Sequence, residues 1–168
     1  MRQRAQFGMA LFLLSEAVFF FMLIAAFVYF RSSSLGAAAG NLNLPVTAVY
    51  TACLLASSFT VQRAAASGER WWLAGTILLG AFFLFGQANE YLRLFRQNVT
   101  ISQSVFGTTF FTLTGIHGLH VLGGIALLAI VLGLHPQRAA VETVAMYWHF
   151  VDGVWLVIFA VVYLWTFL

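Results

Sequence analysis

Five long apolar runs separated by short polar gaps constrain this chain more than any other feature. They extend from Phe7 to Phe30, Leu44 to Val61, Trp71 to Phe95, Ser104 to Leu134 and Val141 to Leu168. A helix needs about 20 apolar residues, at about 1.5 Å each, to cross about 30 Å of hydrocarbon, and each run is near or above that length. The gaps, "RSSSLGAAAGNLNLP", "QRAAASGER", "RQNVTISQ" and "HPQRAA", carry the Gly, Ser, Asn and Pro of turns. With 62% hydrophobic and only 8% charged residues, the chain lacks the polar surface a water-soluble domain requires, so lipid is its solvent and the backbone must satisfy itself within helices. A lipid-facing barrel is disfavoured because strict apolar/polar alternation is absent. The sequence therefore predicts an all-α polytopic membrane protein, a bundle of five transmembrane helices in a single membrane domain over residues 1–168.

Eight arginines and no lysine give a net charge of +3. They lie between the apolar runs rather than in one block, so they read as topology signals, not as a nucleic-acid surface. Arg2, Arg4, Arg63, Arg70 and Arg138 fall on one side and Arg31, Arg93 and Arg96 on the other, a bias that predicts a cytoplasmic N-terminus and a C-terminus outside. The first run is too long for a signal-peptide core and contains Glu16, so it is read as a mature helix. Cys53 is the only cysteine, permits no internal disulfide and reads as a small buried hydrophobe. No repeat stands out, and the gaps leave no room for a soluble domain.

Ionisable groups inside such runs cost on the order of 3 kcal/mol each, so each needs a partner or a task. Glu16 and His149 lie at similar depths in the first and fifth runs, both counted from the cytoplasmic side. They are expected to meet if those helices are neighbours, either as a packing bond or as a buried carboxylate that takes part in proton movement. Asp152, three residues after His149, shares its helix face and is an alternative local partner. His117 and His120 in "TGIHGLHVLGG" also share one face. They read as packing histidines bonded to neighbouring helices, with Gly115, Gly118, Gly123 and Gly124 admitting the close approach. Zinc is disfavoured because no cysteine or carboxylate lies nearby in that run, and two neighbours on one helix cannot flank one haem. Glu90 in "FGQANEYLRLFR" pairs with Arg93 at a three-residue spacing, and Arg93 and Arg96, with Arg63 and Arg138, are candidates for lipid headgroups. Gln87 and Asn89 predict that this end of the helix faces protein or water. Trp148 and Trp155, seven residues apart, are expected on one face against lipid or another subunit.

Four stretches, "LFLLSEAVFFFMLI", "FGQANEY", "GTTFFTLTGIHGLHVLGG" and "MYWHFVDGVWLVIF", closely resemble, in order and over nearly the whole chain, subunit III of the haem-copper respiratory oxidases. The chain begins at what looks like the family's third helix, which makes it similar to five-helix bacterial versions. In the long form a cleft between the first two helices and the rest holds phospholipids, so here the resemblance implies a lipid site completed by another subunit, or lost. It further implies a chain without haem or copper, which belong to partner subunits. The chain would pack directly against subunit I in a complex with subunit II, and with further small subunits or a respiratory supercomplex, in the bacterial plasma membrane. Glu16 matches the family's membrane-buried glutamate, and His149 and Asp152 its closing motif. Family roles implied are sustained proton uptake into subunit I, protection from turnover-linked inactivation, and lipid and oxygen access.

Two other classes are open to the sequence. One is a small membrane cytochrome b-like haem protein with histidines of different helices as axial ligands. The other is a proton or solute carrier built on Glu16 and His149, weakened by the absence of a repeat or of Gly/Pro-broken helices.

Overall fold

The computed structural model describes residues 2–31, 42–101, 105–134 and 138–165. Five helices follow one another: α1 (Arg2–Arg31), α2 (Leu44–Ser67), α3 (Arg70–Arg96), α4 (Val105–Gly133) and α5 (Arg138–Phe159), the last continuing into a π-helical turn at Ala160–Leu164. No strand occurs among the described residues, and all five helices are long and apolar enough to cross a membrane. Ser104 and residues 166–168, assigned to helix ends from the sequence, lie outside the described residues.

Helix limits follow capping chemistry rather than the edges of the apolar runs. The Asn43 side chain accepts a hydrogen bond from the Val46 N–H at 3.3 Å, with Pro45 in the first turn, which satisfies a free donor and presets the backbone. At its other end α2 continues past Val61 through "QRAAAS", residues that favour a helix. It stops where Gly68 takes φ 73° and returns its N–H to Ala64 O at 3.0 Å, a left-handed cap that glycine adopts without steric cost. Helices α1 and α5 likewise begin earlier than hydropathy suggests, at Arg2 and Arg138.

Helices α2, α3, α4 and α5 form a closed ring in which each packs on the next and α5 returns to α2, while α1 lies outside against α4 and α5. Half of the apolar stretch of α5 is buried inside the protein, against 11% for α1. Helix α5 is therefore the centre of the bundle. Its Trp148 and Trp155 are 0% and 1% exposed, which overturns their expected place against lipid or a partner. The physical reason is the indole N–H, which hydrocarbon cannot satisfy: Trp148 Nε1 donates to Ser57 Oγ at 2.8 Å and Trp155 Nε1 to Thr51 Oγ1 at 3.0 Å, both on the antiparallel α2. Room for the Trp148 ring comes from Gly80 on α3 and Gly124 on α4. A methyl group added at either would lie 2.7 or 2.8 Å from the ring. One side chain thus ties three helices to α5.

The ends of the bundle follow from these pairings. Gln6 of α1 donates to Glu142 of α5 at 3.4 Å, and Arg70 of α3 donates to Leu132 O of α4. The starts of α1, α3 and α5 and the ends of α2 and α4 therefore share one face, called the N-terminal face below.

Candidate functional site

Glu16 does not meet His149. Its Oε2 lies 3.1 Å from His120 Nε2 on α4, a correction that depth explains once the helix starts are known. Glu16 is fourteen residues from the start of α1 and His120 thirteen from the end of α4, whereas His149 is eleven from the start of α5; α1 and α4 run antiparallel, so the first two sit level. His120 Nδ1 is 2.8 Å from Ile116 O. A carbonyl only accepts, so Nδ1 carries a hydrogen and the contact between Nε2 and Glu16 shares one proton. Tyr147 of α5 donates its hydroxyl hydrogen to His120 O at 3.0 Å, and the cluster joins α1, α4 and α5.

His117, one turn away, was expected to bond to a neighbouring helix. Instead it is 0% exposed with neither ring nitrogen hydrogen-bonded among the described residues. It stacks on Trp155, with centroids 4.8 Å apart, and meets Phe20 and Phe83 edge-on. The packing role holds through the ring rather than through hydrogen bonds.

His149 and Asp152 share a face and a third residue, Ser58 of α2. Ser58 Oγ is 3.1 Å from His149 Nδ1 and also donates to Asp152 Oδ2, while His149 Nε2 is 3.2 Å from Gln62 Oε1. Asp152 is 3% exposed and its Oδ1 has no hydrogen-bond partner among the described residues. On the N-terminal face, Gln62 and His149 open into a cleft of about 330 Å³ whose lining also includes Gln6, Arg138 and Glu142.

At the opposite end, Glu90 is 8% exposed and accepts from Arg93 and from the Asn43 N–H, the latter at 3.2 Å. The carboxylate thereby locks the start of α2 to the end of α3. Gln87 donates to Thr114 O at 2.7 Å and to the Tyr91 hydroxyl at 3.2 Å, and Tyr91 and Thr114 join at 2.6 Å, so this polar end faces protein. Among the arginines, Arg138 contacts Glu142 at 3.3 Å and Arg63 lies over the Phe59 ring at 5.0 Å; Arg96 is exposed. Reading the ionisable residues missed Ser57, Ser58, Thr51 and Gln62. The signal was present in "YTACLLASSFTVQ", where Thr51, Ser57, Ser58, Thr60 and Gln62 follow one another at spacings of six, one, two and two along one helix.

Apart from the ring nitrogens of His117 and Asp152 Oδ1, the buried polar groups described above are used to join helices, as interior groups of a membrane bundle commonly are. The fold and these clusters define a multi-pass α-helical membrane subunit held together by cross-helix polar bonds. Residues 1–167 match the cytochrome c oxidase subunit III family, and the chain belongs to it. It is similar to cytochrome c oxidase subunit 3 of Corynebacterium diphtheriae, 39% identical over 93% of this chain and 85% of the relative. It is also similar to cytochrome c oxidase subunit 3 of Lumbricus terrestris, 39% identical over 95% of this chain and 70% of the relative. To the cytochrome bo(3) ubiquinol oxidase subunit 3 of Pseudomonas aeruginosa it is 34% identical, over 94% and 83% of the two chains. The chain is an accessory subunit of a multi-subunit haem-copper respiratory oxidase.

Proposed function

We propose that this subunit carries no redox centre and serves the oxidase by holding its membrane assembly together. It packs directly against subunit I beside subunit II in the bacterial plasma membrane, with its N-terminus cytoplasmic. Haem and copper belong to those partners. The observation that carries this reading is the use of the three described histidines: His120 and His149 have both ring nitrogens engaged by hydrogen bonds, and those of His117 are enclosed by Phe20, Phe83 and Trp155. A haem ligand needs a ring nitrogen aimed at an open face. The described His, Cys, Asp and Glu residues also form no group of three able to hold a metal ion.

Glu16 with His120, and Asp152 with His149, are the groups through which the subunit supports proton uptake by subunit I. Arg63, Arg93, Arg96 and Arg138 sit at helix ends, where guanidinium groups reach phospholipid phosphates. The test is a visible absorption spectrum and metal analysis of the isolated chain. No haem band and no stoichiometric metal are expected, and stoichiometric haem would overturn the assignment in favour of a small membrane cytochrome.

A further inference from the structure

The hydrogen bonds around Ser58 impose a count of hydrogens. A serine hydroxyl has one to give, yet Ser58 Oγ meets both Asp152 Oδ2 and His149 Nδ1. The second ring nitrogen of His149 faces Gln62 Oε1 at 3.2 Å; that oxygen only accepts, so Nε2 carries a hydrogen. Two arrangements then satisfy all three bonds. In one, Ser58 donates to the Asp152 carboxylate and Nδ1–H of an imidazolium donates to Ser58. In the other, the Asp152 carboxyl donates its hydrogen to Ser58 and Ser58 donates to a neutral imidazole. They interconvert when one hydrogen passes from Nδ1 to Oγ while the hydrogen of Oγ passes to Oδ2. No heavy-atom bond changes and the total charge is the same. Either way the group holds one proton more than a carboxylate beside a neutral imidazole.

Loss of that proton has a definite structural requirement. If the Gln62 amide turns over and presents its NH2 to Nε2, the imidazole accepts there, keeps a hydrogen on Nδ1 for Ser58, and Ser58 donates to the carboxylate. All three bonds survive with the proton gone. We infer that Asp152, Ser58 and His149 form a one-proton binding site that opens at His149 and Gln62 onto the cleft between α1, α2 and α5, and that the orientation of the Gln62 amide reports whether the proton is present. Both His149 and Gln62 line that cleft and are exposed, whereas Asp152 is closed, so the proton enters at the histidine end.

Among the other titratable groups on the packed elements, Arg138 and Glu142 line the same cleft as His149 and pair with each other. On α2, Arg63 lies over Phe59 and Cys53 is a half-buried thiol. On α4, His117 is enclosed by aromatic rings and His120 pairs with Glu16 of α1. Along α5, Tyr147 donates to His120 O. Among the described residues the hydrogen bond to Asp152 comes from Ser58 alone.

The inference deepens the proton-related role proposed above, but its readout is proton occupancy rather than turnover, so it can fail while the accessory role stands. The experiment is infrared difference spectroscopy of the purified oxidase complex between about pH 5 and pH 8, the range in which histidine titrates, in H2O and D2O. One proton per subunit is expected to leave in a single transition, seen as loss of a carboxylic-acid C=O stretch or an imidazolium ring mode, with a concurrent shift of a glutamine amide carbonyl. Asp152→Asn is expected to remove the carboxylic-acid band and move the remaining histidine transition in pH, and Gln62→Met to remove the amide shift alone. Ser58→Ala, a smaller change for which assembly is easier to keep, is expected to split the transition into separate histidine and aspartate events. A transition unaltered by Asp152→Asn or by Ser58→Ala, or an amide shift that persists in Gln62→Met, would overturn the inference.

Discussion

At the scale of single residues, Glu16 shows what a sequence can and cannot give. Its need for a partner was legible, because a lone carboxyl in hydrocarbon is costly, but the choice between His120 and His149 depended on helix starts that hydropathy placed several residues late. Once α1 begins at Arg2, His120 is the level partner at 3.1 Å. Replacing Glu16 by Ala or His120 by Ala is expected to weaken attachment of α1 by about 0.5–2 kcal/mol, the range for polar contacts between membrane helices. Thermal denaturation of the purified complex checks this, and in the double variant the two losses should not add. Full additivity would mean that the two side chains do not interact. His117 differs because among the described residues it forms no hydrogen bond that a substitution could break. His117→Phe keeps the stack on Trp155 and removes two unsatisfied nitrogens, so stability should be unchanged or slightly raised. A loss of more than about 1 kcal/mol would reveal a hydrogen-bond partner contributed by another subunit.

At the scale of helices, existence and order were legible and boundaries were not. Apolar length identifies a span, but α2 ends where Gly68 can turn left-handed, two turns beyond the last strongly apolar residue. The small residues of "TGIHGLHVLGG" did mark close approaches, of Tyr91 at Gly115, Gln87 at Gly118, Tyr147 at Gly123 and, most tightly, Trp148 at Gly124, rather than histidine bonds. That tryptophan occupies the space left by Gly80 and Gly124 and holds Ser57, so α5 is registered against three helices through one ring. Gly80→Ala and Gly124→Ala should each destabilise the bundle by about 1–3 kcal/mol through overpacking. Gly75→Ala, where an added methyl meets only Thr60 at an ordinary 4.0 Å, should stay within about 0.5 kcal/mol. Equal effects at all three positions would sink the idea that Trp148 sets the spacing. Trp148→Phe should cost less than Trp148→Ala, because part of the ring volume is kept although the bond to Ser57 and some of the packing against Gly80 and Gly124 are lost.

At the scale of the molecule, the ring of α2 to α5 buries its polar groups within itself, while α1 remains the least enclosed helix, with Phe7, Leu14, Phe21 and Met22 all more than 60% exposed. The family was legible from four short stretches because they carry the buried contacts. Glu16, Gln87, Glu90, Thr114, His120, Trp148 and Asp152 all lie in them, and each joins helices. What no single sequence could supply was the partner set on α2, since serine and threonine in an apolar run look like filler until the facing tryptophans are known. We propose that this chain supports the oxidase without performing its chemistry. The most direct measurement is oxygen consumption over successive turnovers by the purified oxidase with this subunit present and after its removal. The depleted complex, its haems and copper intact, is expected to reduce oxygen at first and then inactivate progressively sooner than the complete one. Absence of oxygen reduction from the first turnover in a depleted complex with intact metal centres would contradict it.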